Sequence, residues 1–116
     1  AMWLRQPVSH RVWHAMMERI GRDDIDQDAI ARAHGVSRRT LRRQLDAECT
    51  SFHELTESCR RNVGHALLVR TDLPMIEISM RLGYSDHTAF SRAFSRWFGA
   101  SPRELRKAGS GASATT

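Results

Sequence analysis

The stretch that decides how this chain folds is Gly83-Tyr84-Ser85-Asp86-His87-Thr88-Ala89-Phe90-Ser91-Arg92-Ala93-Phe94-Ser95-Arg96-Trp97-Phe98-Gly99. Phe90, Phe94 and Phe98 recur every fourth residue, the spacing that stacks side chains along one face of an α-helix. His87, Thr88, Ser91 and Arg92 share the opposite face. A glycine stands at either end, and Ser85 is positioned to cap the helix. An aromatic stripe at this spacing is far more often core than a base-stacking platform. The helix therefore packs on one side and offers the other to a partner.

This pattern occurs twice. Ile25, Ile30, Ala31, Gly35 and Ser37 return 48 residues later as Leu73, Ile78, Ser79, Gly83 and Ser85. Past the cap the interval becomes 49, so that Leu41 and Leu45 match Phe90 and Phe94. Each copy reads as a short helix, a glycine, one apolar residue, a serine cap and a second helix. That is a helix-turn-helix, whose second helix can enter a major groove. A plain helical hairpin is the alternative, and repetition with matched glycine and cap weighs against it. In the first copy Leu41 and Leu45 point inward, while Arg38, Arg39, Arg42 and Arg43 fill the remaining surface with no acid before Asp46. An ordinary solvated face would intersperse glutamates at helical spacing. Four neighbouring guanidiniums call for a polyanion.

Caps and breakers divide the rest of the chain into helices, and nothing remains for strands. Val8 to Ile20 is apolar at helical spacing and stops at Gly21; Asp26 caps a helix running to His34. Ser51 and Glu54 form a capping box for a helix to Arg70, Pro74 opens another, and Ser101-Pro102-Arg103-Glu104 starts the last. The fold class is all-α: two helix-turn-helix subdomains, homeodomain-like, joined by a long linker helix. The expected boundaries are a linker at 1–7, a first subdomain at 8–50, the linker helix at 51–70, a second subdomain at 71–108 and a disordered tail at 109–116. At 1.5 Å per residue the linker helix spans about 30 Å, close to the ~34 Å between successive major-groove windows. Its inner face is Phe52, Leu55, Cys59, Val63, Leu67 and Leu68. Gly64 costs about 1 kcal/mol relative to alanine, which predicts close packing there.

Composition fits this reading. The chain has 116 residues, a net charge of +5 and a pI near 10.5. Lys107 is the only lysine among 18 basic residues. No apolar run approaches the ~18 residues of a membrane span, and no signal-peptide architecture is evident, so a cytoplasmic location is expected. Cys49 and Cys59 do not make a disulfide framework, and we read them as reduced thiols. Asp24, Asp26 and Asp28 imitate the start of a calcium loop, but Ala29 stands at the required glycine and Gly35 at the final glutamate. His10 and His14 lie four apart without the glutamate or third ligand of a zinc protease. No metal or cofactor is expected, and an enzyme is not expected either, since spacing alone nominates no base or orienting group for nucleophilic catalysis. Trp3, Trp13 and Trp97 are read as packing residues.

The pattern resembles the DNA-binding domain of the arabinose-regulator (AraC/XylS) family of bacterial transcription regulators. The resemblance rests on Ala29-Ile30-Ala31, Gly35 through Leu45, Arg60 with Leu67-Leu68, Ile78 through Ser85, Phe90 through Phe94, and Phe98-Gly99-Ala100-Ser101-Pro102. It covers about Val8 to Lys107. It implies sequence-specific binding of double-stranded DNA as a promoter regulator, with two recognition helices in successive major-groove segments. Carried over by the resemblance, Arg39, Arg42, Arg43, His87, Thr88 and Arg92 face bases. Ser37, Arg38, Ser85, Ser91, Arg96, Arg103 and Lys107 are expected at phosphates. The isolated domain is expected to be a monomer, an N-terminal domain would bring dimerisation, and RNA polymerase is the further partner such a regulator would touch. The chain departs from the family at Gly64 and Ser79, where alanine is usual, and at Leu45, where phenylalanine is frequent. The competing reading is a basic helical module that docks an acidic protein of the transcription complex.

Overall fold

The computed structural model describes residues 6–21 and 25–114, with the side chains of 110–114 left aside. Its elements are α1 (Val8–Arg19), α2 (Gln27–Ala33), α3 (Arg38–Ala47), α4 (Phe52–Arg70), α5 (Met75–Arg81), α6 (His87–Phe98) and α7 (Pro102–Ala114). Among the described residues there is no strand. Trp3 and Asp24, which figured in the sequence reading, lie outside them. The chain forms two compact units that divide after Cys59, within α4.

The first unit closes around Val12 and Met16 of α1, Ile30 and Ala31 of α2, Leu41 and Leu45 of α3, and Cys59 of α4. Burying side chains of this size stabilises the unit by roughly 1.5–3 kcal/mol each. Its α1 is preceded by Pro7, whose ring carries no hydrogen-bonding group to cap it. The cap comes from far along the chain: the Glu48 carboxylate accepts hydrogen bonds from the backbone N–H groups of Val8 (2.8 Å) and Ser9 (3.0 Å). The second unit closes around Leu68, Ile78, Leu82, Phe90, Ala93 and Phe94. The rings of Phe90 and Phe94 are 4.7 Å apart, and those of Phe94 and Phe98 5.6 Å.

The repeat holds at its buried positions. Ile30 and Ile78 are buried as a pair of equivalents, as are Ala31 and Ser79, Leu41 and Phe90, and Leu45 and Phe94. Both turns are the same device. Val36 N–H reaches Ala31 C=O and Gly35 N–H reaches Arg32 C=O; Tyr84 N–H reaches Ser79 C=O and Gly83 N–H reaches Met80 C=O. This helix ending requires a left-handed residue at the glycine, and φ is +71° at Gly35 and +85° at Gly83. The buried Ser79 hydroxyl donates to the Asp86 carbonyl (3.3 Å), so its polar group is satisfied in the core.

Several expectations need correction. The cap of α6 is Asp86, not Ser85: its Oδ1 accepts from Ala89 N–H at 2.7 Å, whereas Ser37 caps α3 as expected. The second turn is one residue longer, which is why the repeat interval changes from 48 to 49. On α4 the fully buried apolar side chains are Cys59 and Leu68, and Leu67 is half-buried. The Ser51–Glu54 box is half formed: Ser51 Oγ accepts from Glu54 N–H, but the Glu54 carboxylate takes the Thr50 hydroxyl instead. Ser101 and Glu104 make the full reciprocal pair. Helix α7 continues through 109–114, where composition suggests a disordered tail. Gly109 supplies the reason at the start of that stretch: a Cβ there would come within 2.8 Å of Val69 Cγ1, so only glycine lets α7 lie this close to α4. Phe98, expected in the core, is half-buried beside the His65 ring.

Candidate nucleic-acid interface

In the first unit, Ser37 fixes the start of α3 by accepting from Thr40 N–H at 3.1 Å. Burial of Leu41 and Leu45 then fixes the helix's rotation. Arg38, Arg39, Arg42 and Arg43 are consequently all exposed, and among the described residues none of them has an ion-pair partner. Unpaired guanidiniums on a short rigid helix repel each other in water and gain most when a polyanion approaches. Three of them, Arg38, Arg39 and Arg42, line an open groove of about 610 Å³ together with Asp46 and with Ser51, Phe52 and His53 at the start of α4. Gln27 at the head of α2 completes it. The sequence reading missed Gln27 and His53. Helical spacing from the Ser51 cap puts His53 in the first turn of α4, but no sequence signal places that turn beside α3.

In the second unit, the Asp86 cap and the buried Phe90, Ala93 and Phe94 turn His87, Thr88 and Arg92 outward, and all three are exposed. Ser91 is half-buried, with its Oγ 3.4 Å from His87 Nε2. Ser85 is exposed just before the helix. The Arg96 guanidinium lies 5.8 Å from the Trp97 ring centre, and Arg103 and Lys107 are exposed on α7. The structure thus exposes Arg38, Arg39, Arg42 and Arg43 on α3 and His87, Thr88 and Arg92 on α6, with Ser37 and Ser85 before those helices and Arg103 and Lys107 on a separate helix.

Two arginines do structural work instead. Arg60 Nε donates to the Leu82 carbonyl at 3.0 Å, its Nη2 approaches the Gly83 carbonyl at 3.5 Å, and the guanidinium sits 4.8 Å from the Tyr84 ring centre. It closes the C-terminus of α5, where a cation also favours the helix dipole, and so holds the turn into α6. Arg106 Nε donates to the Leu68 carbonyl at 3.0 Å and ties α7 to α4. Among the described residues no helix is long and apolar enough to cross a membrane.

Two helical pairs with matching turns, each presenting an exposed basic or polar second helix, define a duplicated helix-turn-helix protein. The helix-turn-helix domain family matches residues 30–108, from within α2 into α7. The ornithine utilization regulator of Pseudomonas aeruginosa is 35% identical over 98 residues, 84% of this chain and 29% of that protein. Among solved structures, a transcriptional regulator of Chromobacterium violaceum described as AraC-type is 28% identical, with a TM-score of 0.79 over 90% of this chain and 93% of that one. The DNA-binding domain of AdpA in complex with a target DNA shares the fold, at 24% identity and a TM-score of 0.72 over 89% and 92%. The chain belongs to the AraC-type helix-turn-helix family of DNA-binding transcription regulators. It spans less than a third of the length of the curated Pseudomonas relative.

Proposed function

We propose that this chain regulates transcription by inserting α3 and α6 into successive major-groove segments of a promoter. The observation that carries it is the exposed, unpaired arginine face of α3, repeated as the polar face of α6 on an equivalent turn. In this reading Arg39, Arg42 and Arg43 contact bases in one half-site, and His87, Thr88 and Arg92 in the other. Arginine grips guanine through O6 and N7, each such pair discriminating by ~1–3 kcal/mol. Ser37, Arg38, Ser85, Ser91, Arg96, Arg103 and Lys107 hold phosphates and set the register. Helix α4 runs for 19 residues, about 28 Å at 1.5 Å each. That a solved domain of the same fold is bound to target DNA supports the reading.

The isolated domain acts as a monomer in the cytoplasm, since two reading helices already lie in one chain, and RNA polymerase is the protein partner. The test is selection from random duplexes followed by binding at several salt concentrations. Enrichment of one sequence with two half-sites about a helical turn apart, and affinity falling steeply with salt, are the expected results. Salt-dependent binding without any enriched sequence would contradict the proposal.

A further inference from the structure

Helix α1 carries a feature that DNA reading does not use. His10 and His14 lie one helical turn apart, and their Nε2 atoms are 3.1 Å from each other. The rings meet edge-on, with centroids 4.5 Å apart and planes at 74°. Imidazole nitrogens bind zinc-like ions at about 2.0–2.1 Å. Two nitrogens 3.1 Å apart, each at that distance from one ion, subtend an angle of about 100°, between the octahedral and tetrahedral values. The backbone therefore already sets the spacing of a chelate, and small ring rotations would aim both lone pairs at a common point. The Trp13 ring braces His14 from the side, at 5.4 Å and 86°.

We infer that His10 and His14 form a two-imidazole site for a borderline divalent transition metal ion such as nickel(II), copper(II) or zinc(II). Binding needs only neutral rings. The proton one Nε2 shares with the other moves to Nδ1 as the tautomer changes, and both Nε2 lone pairs go to the metal. Among the described residues no group of three His, Cys, Asp or Glu side chains is arranged around an ion. The site is built by the helix, and an ion there holds α1 helical across one full turn. That helix buries Val12 and Met16 against the core that carries Leu41 and Leu45 of α3. Metal thus stabilises the first unit, whether or not DNA is bound.

The test titrates nickel(II) chloride into the full chain by calorimetry and follows thermal unfolding with and without it. The expected result is one ion per chain and an unfolding midpoint raised by several degrees. Either His10→Ala or His14→Ala should weaken uptake about tenfold or more, since losing an ordering partner of a ligand alone costs about 10–100-fold and here a ligand itself is lost. His53→Ala, on a different helix, should leave uptake unchanged. His10 is exposed, so His10→Ala keeps the test independent of folding, which circular dichroism checks. Absence of a rise in the unaltered chain, or undiminished uptake by His10→Ala, would overturn the inference.

Discussion

Glu48 caps a helix that begins 40 residues before it, its two carboxylate oxygens taking the N–H groups of Val8 and Ser9. An anion at a helix N-terminus satisfies orphan donors and complements the dipole together. Removing the carboxylate in Glu48→Ala should cost the first unit about 1 kcal/mol, within the usual range for a lost cap, while Asp46→Ala on the exposed face changes little. Burial alone would raise the Glu48 carboxyl, but the hydrogen bonds from Ser9 and Val8 and the charge of Arg11 outweigh it and hold it below its ordinary 4.5. A carboxyl depressed in the folded state contributes stability that is complete above the ordinary value and is lost as pH falls through the depressed one. Unfolding followed from pH 6 down to 2 should therefore show an acid-labile component that Glu48→Gln abolishes.

The cap of α6 gives a paired comparison. Asp86→Ala should destabilise the second unit by about 1 kcal/mol, whereas Ser85→Ala should change stability by less than about 0.5 kcal/mol. Chemical denaturation of the two variants measures it, and equal losses would return the cap to Ser85.

Gly64 is buried, and a methyl group there would overlap Phe94 Cζ and come within 2.8 Å of Leu82 Cδ1. Helix propensity favours Gly64→Ala by about 1 kcal/mol, but overpacking a filled core costs typically 1–3 kcal/mol. The Phe94 ring is itself wedged among Phe90, Trp97 and Phe98, so the clash should win. Gly64→Ala is expected to lower stability, and Phe94→Leu added to it should cost less than Phe94→Leu alone.

The two cysteines should behave differently. Cys49 is exposed and holds φ at +61°, ending α3 as a glycine would. A side chain in the left-handed region costs roughly 1–2 kcal/mol, so Cys49→Gly should stabilise the first unit by up to about 1 kcal/mol once glycine's entropy is set against it. Cys59 is buried, donates weakly to the Trp13 carbonyl at 3.8 Å, and its thiol is pushed up to about 12 by burial. A thiol reagent at pH 8 should titrate Cys49 at once and Cys59 only on unfolding.

What the sequence made legible was local or periodic. The duplicated Ile-Ala-Gly-Ser and Ile-Ser-Gly spacings gave both helix-turn-helix units because glycine at a left-handed ending and apolar residues at helical spacing are backbone requirements. The exposed arginines followed from where Leu41 and Leu45 must point. What stayed hidden depends on neighbours distant in the chain. Glu48 as a cap for Val8, Arg60 closing α5, and His53 beside Arg39 and Arg42 all need the tertiary fold to bring them together. The Ser85 and Asp86 assignment failed because two adjacent capping residues compete, and the longer second turn selects the later one. Leu67 and Leu68 both read as inner-face residues, and only the packing separates them, since neighbours on a helix differ by about 100° in direction.

The central claim is that α3 and α6 read separate half-sites, and one measurement tests it directly. Binding is measured for Arg42→Ala, Arg92→Ala and Arg103→Ala across a panel carrying every single-base change in the selected site. Arg42→Ala should erase preference at a few adjacent base pairs in one half-site, and Arg92→Ala at base pairs about one helical turn away, each losing ~1–3 kcal/mol of discrimination. Arg103→Ala should weaken all sequences alike and lower the salt slope by about one. A uniform loss for Arg42→Ala and Arg92→Ala, with every base preference intact, would contradict the account.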